Sequence, residues 1–172
     1  CAPGNAGIAQ VATCVALDSG DPAAVATLCR DRAIDLVVIG PEQPLVDGLA
    51  DHLRSEGISV FGPSAAAARL EGSKAFAKDF MGRHGIPTAG ARVFEDSEEL
   101  LAYLETCPLP TVVKADGLAA GKGVIVCMRR HEAIEAGRTV AVERRFGGAG
   151  DRVVVEEFMA GEEATVLALV DG

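Results

Sequence analysis

A chain of 172 residues, 49% of them apolar, can bury one substantial core or two small ones, which predicts a folded α/β protein and excludes disorder. Its formal net charge of −9 excludes nucleic acid as a partner, because a phosphate backbone is met by a positive face. Small anions stay open to it, since a local pocket of Lys, Arg and backbone N–H groups can hold them inside an acidic protein.

In chain order, the run Cys1-Ala2-Pro3-Gly4-Asn5 is turn-like and lacks an initiator Met. A helix is predicted over 22–32, a short buried strand over 36–39, a helix over 44–56 and a strand over 58–61. This is the grammar of a parallel βαβ unit: Leu45, Val46, Leu49, Ala50 and Leu53 recur at one-face spacing, as a crossover helix on a sheet requires. An alanine-rich helix over 64–70 ends at Glu71-Gly72, and a new one runs over 73–83, with Phe76, Ala77, Phe80 and Met81 on its apolar side and Lys74 and Lys78 one turn apart on another. A domain boundary is placed at this break.

After Pro87 the pattern changes to a strand over 92–94, a helix over 96–105, strands over 111–115 and 124–128, a helix over 130–146 and strands over 152–157 and 164–170. Asp96 with Glu99 has the form of a capping box. The short glycine-rich connection 116–123 predicts antiparallel pairing, so this second unit reads as a small α+β domain. The closing Val170-Asp171-Gly172 has the form of a hairpin turn, and both ends of the chain read as interior positions of a longer protein.

The five cysteines are odd in number, widely spaced and without a CxxC pair, which predicts reduced thiols in the cytoplasm. His52, His84 and His131 lie too far apart for a zinc site. No apolar run reaches the roughly eighteen residues of a membrane helix, and no signal peptide is seen.

Chemistry concentrates in Val113-Lys114-Ala115-Asp116-Gly117-Leu118-Ala119-Ala120-Gly121-Lys122-Gly123-Val124. Small residues leave backbone N–H groups uncovered and two lysines bracket the loop, so it can close on a polyphosphate as a hairpin lid. It is not a Walker A loop, because no Ser or Thr follows Lys122 and a strand follows in place of a helix. The alternative is a glycine-rich turn with two solvated lysines. Downstream, Val153-Val154-Val155-Glu156-Glu157-Phe158-Met159-Ala160-Gly161-Glu162-Glu163 is an apolar strand running into an acidic kink, where free backbone groups can meet an adenine edge and a carboxylate can accept ribose hydroxyls. For Glu156 and Glu162 a solvated acidic turn is the equal alternative.

Lys114, the glycine loop and the acidic kink, in this order, resemble the arrangement of ATP-grasp enzymes. The runs Ala2-Pro3-Gly4-Asn5-Ala6-Gly7, Val38-Ile39-Gly40-Pro41-Glu42, Phe61-Gly62-Pro63, Leu70-Glu71-Gly72-Ser73-Lys74-Ala75-Phe76, His84-Gly85-Ile86-Pro87-Thr88 and Glu156-Glu157-Phe158 narrow the resemblance to the phosphoribosylamine–glycine ligase (glycinamide ribonucleotide synthetase) family over nearly the whole chain. Gln43 and Cys127 depart from its usual pattern without removing a group the chemistry needs.

The resemblance implies a truncated parallel βαβ, Rossmann-like pre-ATP-grasp domain (1–72), the start of the central ATP-grasp domain (73–89), its α+β lid (90–161) and the first strand of the resumed central domain (162–172). It implies an enzyme of purine biosynthesis that uses ATP, with magnesium or alternatively manganese, to join glycine to 5-phosphoribosylamine. Lys74 and Lys114 would contact the phosphates, Gly121, Lys122 and Gly123 would fold over them, Glu157, Phe158 and Met159 would frame the adenine, and Glu163 would hold the ribose. Glu42, at the carboxyl end of a parallel strand, would meet phosphoribosylamine; a carboxylate favoured by a helix N-terminus is its other reading. The resemblance puts the phosphate loop before Cys1 and the magnesium and glycine ligands after Gly172, so no catalytic or metal residue is assigned within these residues, and the 172-residue chain by itself is expected to bind ATP weakly and not to turn over. Another ATP-grasp carboxylate-amine ligase, or a non-catalytic nucleotide-binding module, is the competing reading. Oligomeric state is not legible.

Overall fold

The computed structural model describes residues 1–119 and 122–168, which form two compact units, 1–84 and 85–172. Gly121 and the turn at 170–172 lie outside the described residues.

In the first unit a 3₁₀ turn, Ile8–Gln10, precedes α1 (Pro22–Asp31), whose N-cap Asp21 accepts the Ala24 amide and whose first residue is proline. Then come β1 (Val37–Val38), α2 (Glu42–Val46), α3 (Leu49–Ser55), β2 (Val60–Phe61), α4 (Ala65–Gly72) and α5 (Lys74–His84). Strands β1 and β2 pair in parallel, Val37 opposite Val60 and Val38 opposite Phe61, so the βαβ reading holds. The core packs Val25, Ala26 and Cys29 of α1 against Leu45, Leu49, Ala50, Leu53 and Ile39.

Three expectations for this unit are corrected. The helix expected over 44–56 begins at Glu42 and is broken at Gly48, whose φ of +89° is left-handed and cannot continue a right-handed helix. The strand expected as buried over 36–39 is buried on one side only: Ile39 faces the helices while Val38 is 65% exposed, because side chains alternate and the helices pack on one face. Residues 1–5 and the outer side chains Leu36 and Val38 instead line an open cleft of about 930 Å³. The interruption near Glu71-Gly72 is a single extended residue, Ser73, whose hydroxyl accepts the Phe76 amide and starts α5.

The second unit contains β3 (Ala91–Phe94), α6 (Ser97–Leu104), β4 (Thr111–Ala115), β5 (Val124–Cys127), α7 (Arg130–Gly137) and β6 (Val153–Glu157). Its sheet has the order β3-β6-β4-β5 with every pair antiparallel. One face carries Phe94, Val113, Ala115, Cys127, Val153 and Val155 into a core with Leu100 and Leu104 of α6 and Ala133 and Ala136 of α7. Asp96 caps α6 by accepting the Glu98 and Glu99 amides. At α7 the Glu132 carboxylate accepts the Met128 and Arg129 amides, which hold its carboxyl below the ordinary value.

The helix expected over 130–146 stops at Gly137 and continues as a wider π turn, Arg138–Val142, before a 3₁₀ turn, Gly147–Gly150. Gly137 lets α7 approach α6: a Cβ there would stand 2.4 Å from Leu104 Cδ1. The strand expected over 164–170 is absent over 164–168, where Val166 and Leu167 are almost fully exposed with no strand beside them among the described residues; 169 and 170 lie outside those residues.

Candidate functional site

The face of the second sheet turned away from α6 and α7 is set by alternation and register. One row across the strands reads Ala91, Glu156, Val112, Val126, and the next reads Val93, Val154, Lys114, Val124. Valines therefore surround one lysine and one carboxylate that are diagonal neighbours on adjacent strands. Lys114 Nζ donates to Glu156 Oε2 at 2.8 Å, with the lysine side chain 24% exposed and the glutamate 7%. One rung further, Arg152 Nη2 pairs with Asp116 Oδ2 at 2.6 Å, and the Asp116 amide donates to the Arg152 carbonyl. In both pairs the anion is buried and the cation keeps contact with solvent. Such an arrangement fixes a positive group at an apolar surface, where an incoming anion meets it in a low dielectric.

The glycine loop leaves β4 beside this lysine. The Ala115 amide donates to the Gly123 carbonyl and the Lys122 amide to the Ala119 carbonyl, closing the two sides of the turn. Gly123 is buried there: a Cβ on it would stand 2.7 Å from Ala119 Cβ and 3.1 Å from Ala115 Cβ. At the loop's other end a Cβ on Gly117 would stand 2.9 Å from Ala149 Cβ. Lys122 is exposed, so Lys114 is anchored and Lys122 is not among the ion pairs of the described residues.

At the far end of β6 the chain leaves the sheet. The Glu157 amide donates to the Gly90 carbonyl at 2.9 Å, and Glu157 Oε1 accepts the Gly90 amide at 2.9 Å. Phe158 and Met159 follow with exposed side chains, Met159 at 67%, and Glu163 is exposed further on. Lys74 and Glu42 belong to the first unit: Lys74 is the first residue of α5, and Glu42, exposed, opens the short α2 after the Ile39-Gly40-Pro41 connection that follows β1. Among the described residues no group of three or more His, Cys, Asp or Glu could hold a metal ion. No helix among them is long and apolar enough to cross a membrane.

The sequence leaves Glu156 open between a nucleotide-facing carboxylate and a solvated acidic turn; in the structure it is the buried partner that anchors Lys114. The signal was present, since Val153 and Val155 on the core side put Glu156 on the opposite face, but the register that aligns it with Lys114 was not. Gly90, Asp116 and Arg152 carried no signal of their own.

The phosphoribosylglycinamide synthetase N domain matches residues 1–71, and the ATP-grasp (A) domain of the same enzyme family matches residues 72–172. The chain belongs to the phosphoribosylglycinamide synthetase family. The phosphoribosylamine–glycine ligase of Mesorhizobium japonicum is 56% identical over 171 residues, which are 99% of this chain and 40% of that protein. The crystal structure of the Thermotoga maritima phosphoribosylamine–glycine ligase superposes with a TM-score of 0.72 at 37% identity, covering 93% of this chain and 37% of that one. In fold alone the family member also resembles the biotin carboxylase domain of the Hydrogenobacter thermophilus 2-oxoglutarate carboxylase, solved with MgADP, at a TM-score of 0.63 and 21% identity over 85% of this chain and 34% of that one. The chain thus spans about 40% of the length of the curated relatives it matches. The two family domains meet at 71/72, whereas the compact units divide at 84/85, so α5 is assigned to the A domain by sequence and packs with the first unit.

Proposed function

We propose that this chain supplies the ATP-gripping surface of a ligase that joins glycine to 5-phosphoribosylamine, giving glycinamide ribonucleotide, ADP and phosphate. The observation that carries the reading is the Lys114 ammonium, held by buried Glu156 in the middle of a valine-lined sheet face and flanked by a glycine loop that bears Lys122. A triphosphate needs positive groups and uncovered backbone donors, and a purine needs an apolar floor with a free main-chain edge beside it.

In this reading Lys114 and Lys74 neutralise the phosphates, and Gly121, Lys122 and Gly123 close over them. The purine lies along Glu157, Phe158 and Met159, with Glu163 at the ribose and Glu42 at phosphoribosylamine. A carboxylate is a poor electrophile, so an oxygen of the glycine carboxylate first attacks the γ-phosphorus and ADP leaves. The phosphoribosylamine nitrogen then attacks the acyl carbon, phosphate departs, and the nitrogen loses a proton. Magnesium, or manganese in its place, would add charge neutralisation, and no ligand to it is assigned among the described residues. The residues present contribute neutralisation, orientation and exclusion of water around transfer between anions. We divide the chain into a pre-ATP-grasp part (1–72), the start of the central domain (73–89), the lid (90–161) and the resumed central domain (162–172). The unpaired, scattered cysteines favour the cytoplasm.

The test is ATP titration of Lys114→Ala and Lys122→Ala variants of the full-length ligase. Each is expected to weaken ATP binding at least tenfold, and unchanged affinity in both rejects the clamp. ADP release that depends on glycine plus phosphoribosylamine, and not on bicarbonate plus aminoimidazole ribonucleotide, distinguishes this ligase from its ATP-grasp relatives.

A further inference from the structure

The end of β6 departs from ladder geometry in a way that assigns work to the Glu157 side chain. In an antiparallel ladder, hydrogen-bonded pairs alternate with non-bonded ones, and each bonded pair exchanges two N–H to C=O bonds. The Asp116 amide donates to the Arg152 carbonyl, so counting along the β4–β6 register places Thr111 opposite Glu157 in a non-bonded pair. The Glu157 main chain therefore faces the β3 side. There Glu157 and Gly90 form a bonded pair: the Glu157 amide donates to the Gly90 carbonyl at 2.9 Å. The return bond, from the Gly90 amide to the Glu157 carbonyl, is replaced among the described residues by a bond from that amide to Glu157 Oε1 at 2.9 Å.

The residue's own carboxylate has taken the donor that its carbonyl would otherwise receive. The consequence is an acceptor at the point where the chain leaves the sheet, beside the exposed Phe158 and Met159. With the facing Gly90 N–H diverted to the side chain, this exposed carbonyl is left to water and is available to a donor on a ligand that displaces that water. We propose that the Glu157 carboxylate is a positioning residue which, by clasping Gly90, keeps the Glu157 carbonyl open to accept a hydrogen bond from the exocyclic amino group of the bound purine, and so selects 6-amino over 6-oxo nucleotides. The proposal rests on the nucleotide-site reading above. An inosine ring presents an oxygen in place of that amino group, which sets two acceptors against each other.

The experiment compares kcat/KM for ATP and for inosine triphosphate in the full-length ligase, with glycine and phosphoribosylamine saturating. In Glu157→Ala the Gly90 amide loses its side-chain acceptor and turns to the carbonyl opposite it. The ATP preference is then expected to fall about tenfold, the order of one hydrogen bond, through a raised KM for ATP with kcat largely held. Glu157→Gln keeps an acceptor oxygen at the same reach and is expected to rescue most of the preference. Melting curves verify folding. Should the alanine variant not fold, Glu157→Asp, one methylene too short to reach Gly90, reads the same ratio.

An ATP preference unchanged in both the alanine and the aspartate variants overturns the proposal, as does a glutamine variant no better than alanine. A Lys114→Ala control distinguishes the Glu157–Gly90 clasp from the nucleotide face as a whole. If it raises the KM for ATP while Glu157→Ala leaves the nucleotide preference intact, the clasp is wrong and the nucleotide face stands. If Lys114→Ala also changes nothing, the face itself is wrong.

Discussion

The two units use their sheets in opposite ways. In the first, two short parallel strands are buried by helices on one side, and Leu36, Val38 and Phe61 stay exposed on the other. In the second, four antiparallel strands have one face filled by α6 and α7, while the other face carries an ordered grid of valines around the Lys114–Glu156 pair. The contrast shows what separates an apolar face from a candidate site. Both faces are apolar, but the second carries a lysine that is held by a buried carboxylate and still reached by solvent, and a cation fixed in that way makes an apolar surface selective for an anion.

The largest effects should come from the cores that support these faces. Leu53 in the first unit and Leu100 in the second are both fully buried, and truncating either to alanine should cost about 2–5 kcal/mol. Hydrogen exchange should show Leu53→Ala loosening residues 1–84 and Leu100→Ala loosening residues 85–168. Loosening of both units by either change would show that the two cores do not stand separately.

Next in size is the ion pair. Lys114→Ala leaves the Glu156 carboxylate buried without this partner, which should cost roughly 2–3 kcal/mol, toward the lower end for a buried pair because the lysine keeps some solvent contact. Adding Glu156→Gln should return most of that stability in urea unfolding while ATP binding stays lost. Recovery of ATP binding together with stability would make the pair structural only, and the second face no more selective than the first.

Gly123→Ala should have a smaller effect on stability, about 1–3 kcal/mol, by forcing Ala119 and Ala115 apart. Its effect on ATP affinity should exceed that of the control Gly40→Ala, where a Cβ would meet nothing within 4 Å. Equal effects on affinity would mean that the loop's closeness to β4 does not matter.

The smallest effect is a pH dependence confined to the second unit. Burial pushes the Cys127 thiol up from 9.0 to about 11, so its neutral form contributes stability that is fully present below pH 9 and lost as pH rises through about 11. Unfolding midpoints from pH 8 to 11 should fall more steeply for the wild type than for Cys127→Ala. Identical slopes would show that this buried thiol does not contribute to the alkaline limit.

The residues alone determined much of this protein. Period-two and period-3.6 patterning located the helices and most strands, proline and glycine marked their ends, and the lysine-bracketed glycine loop with the acidic run marked where the chemistry lies. These signals are local, carried by neighbours a few positions apart. Tertiary structure alone decided that Glu156 is an anchor and not a solvated acid, that Glu157 reaches back to Gly90, and that Asp116 meets Arg152. It also decided that Val38 is exposed: the continuous apolar run Leu36-Val37-Val38-Ile39 has the pattern of a strand covered on both faces, and the helices of the first unit cover only the face of Val37 and Ile39. The pairings join strands whose residues lie about forty to seventy positions apart in the chain, and such contacts depend on register, which is set when whole sheets assemble and not by any short run of sequence.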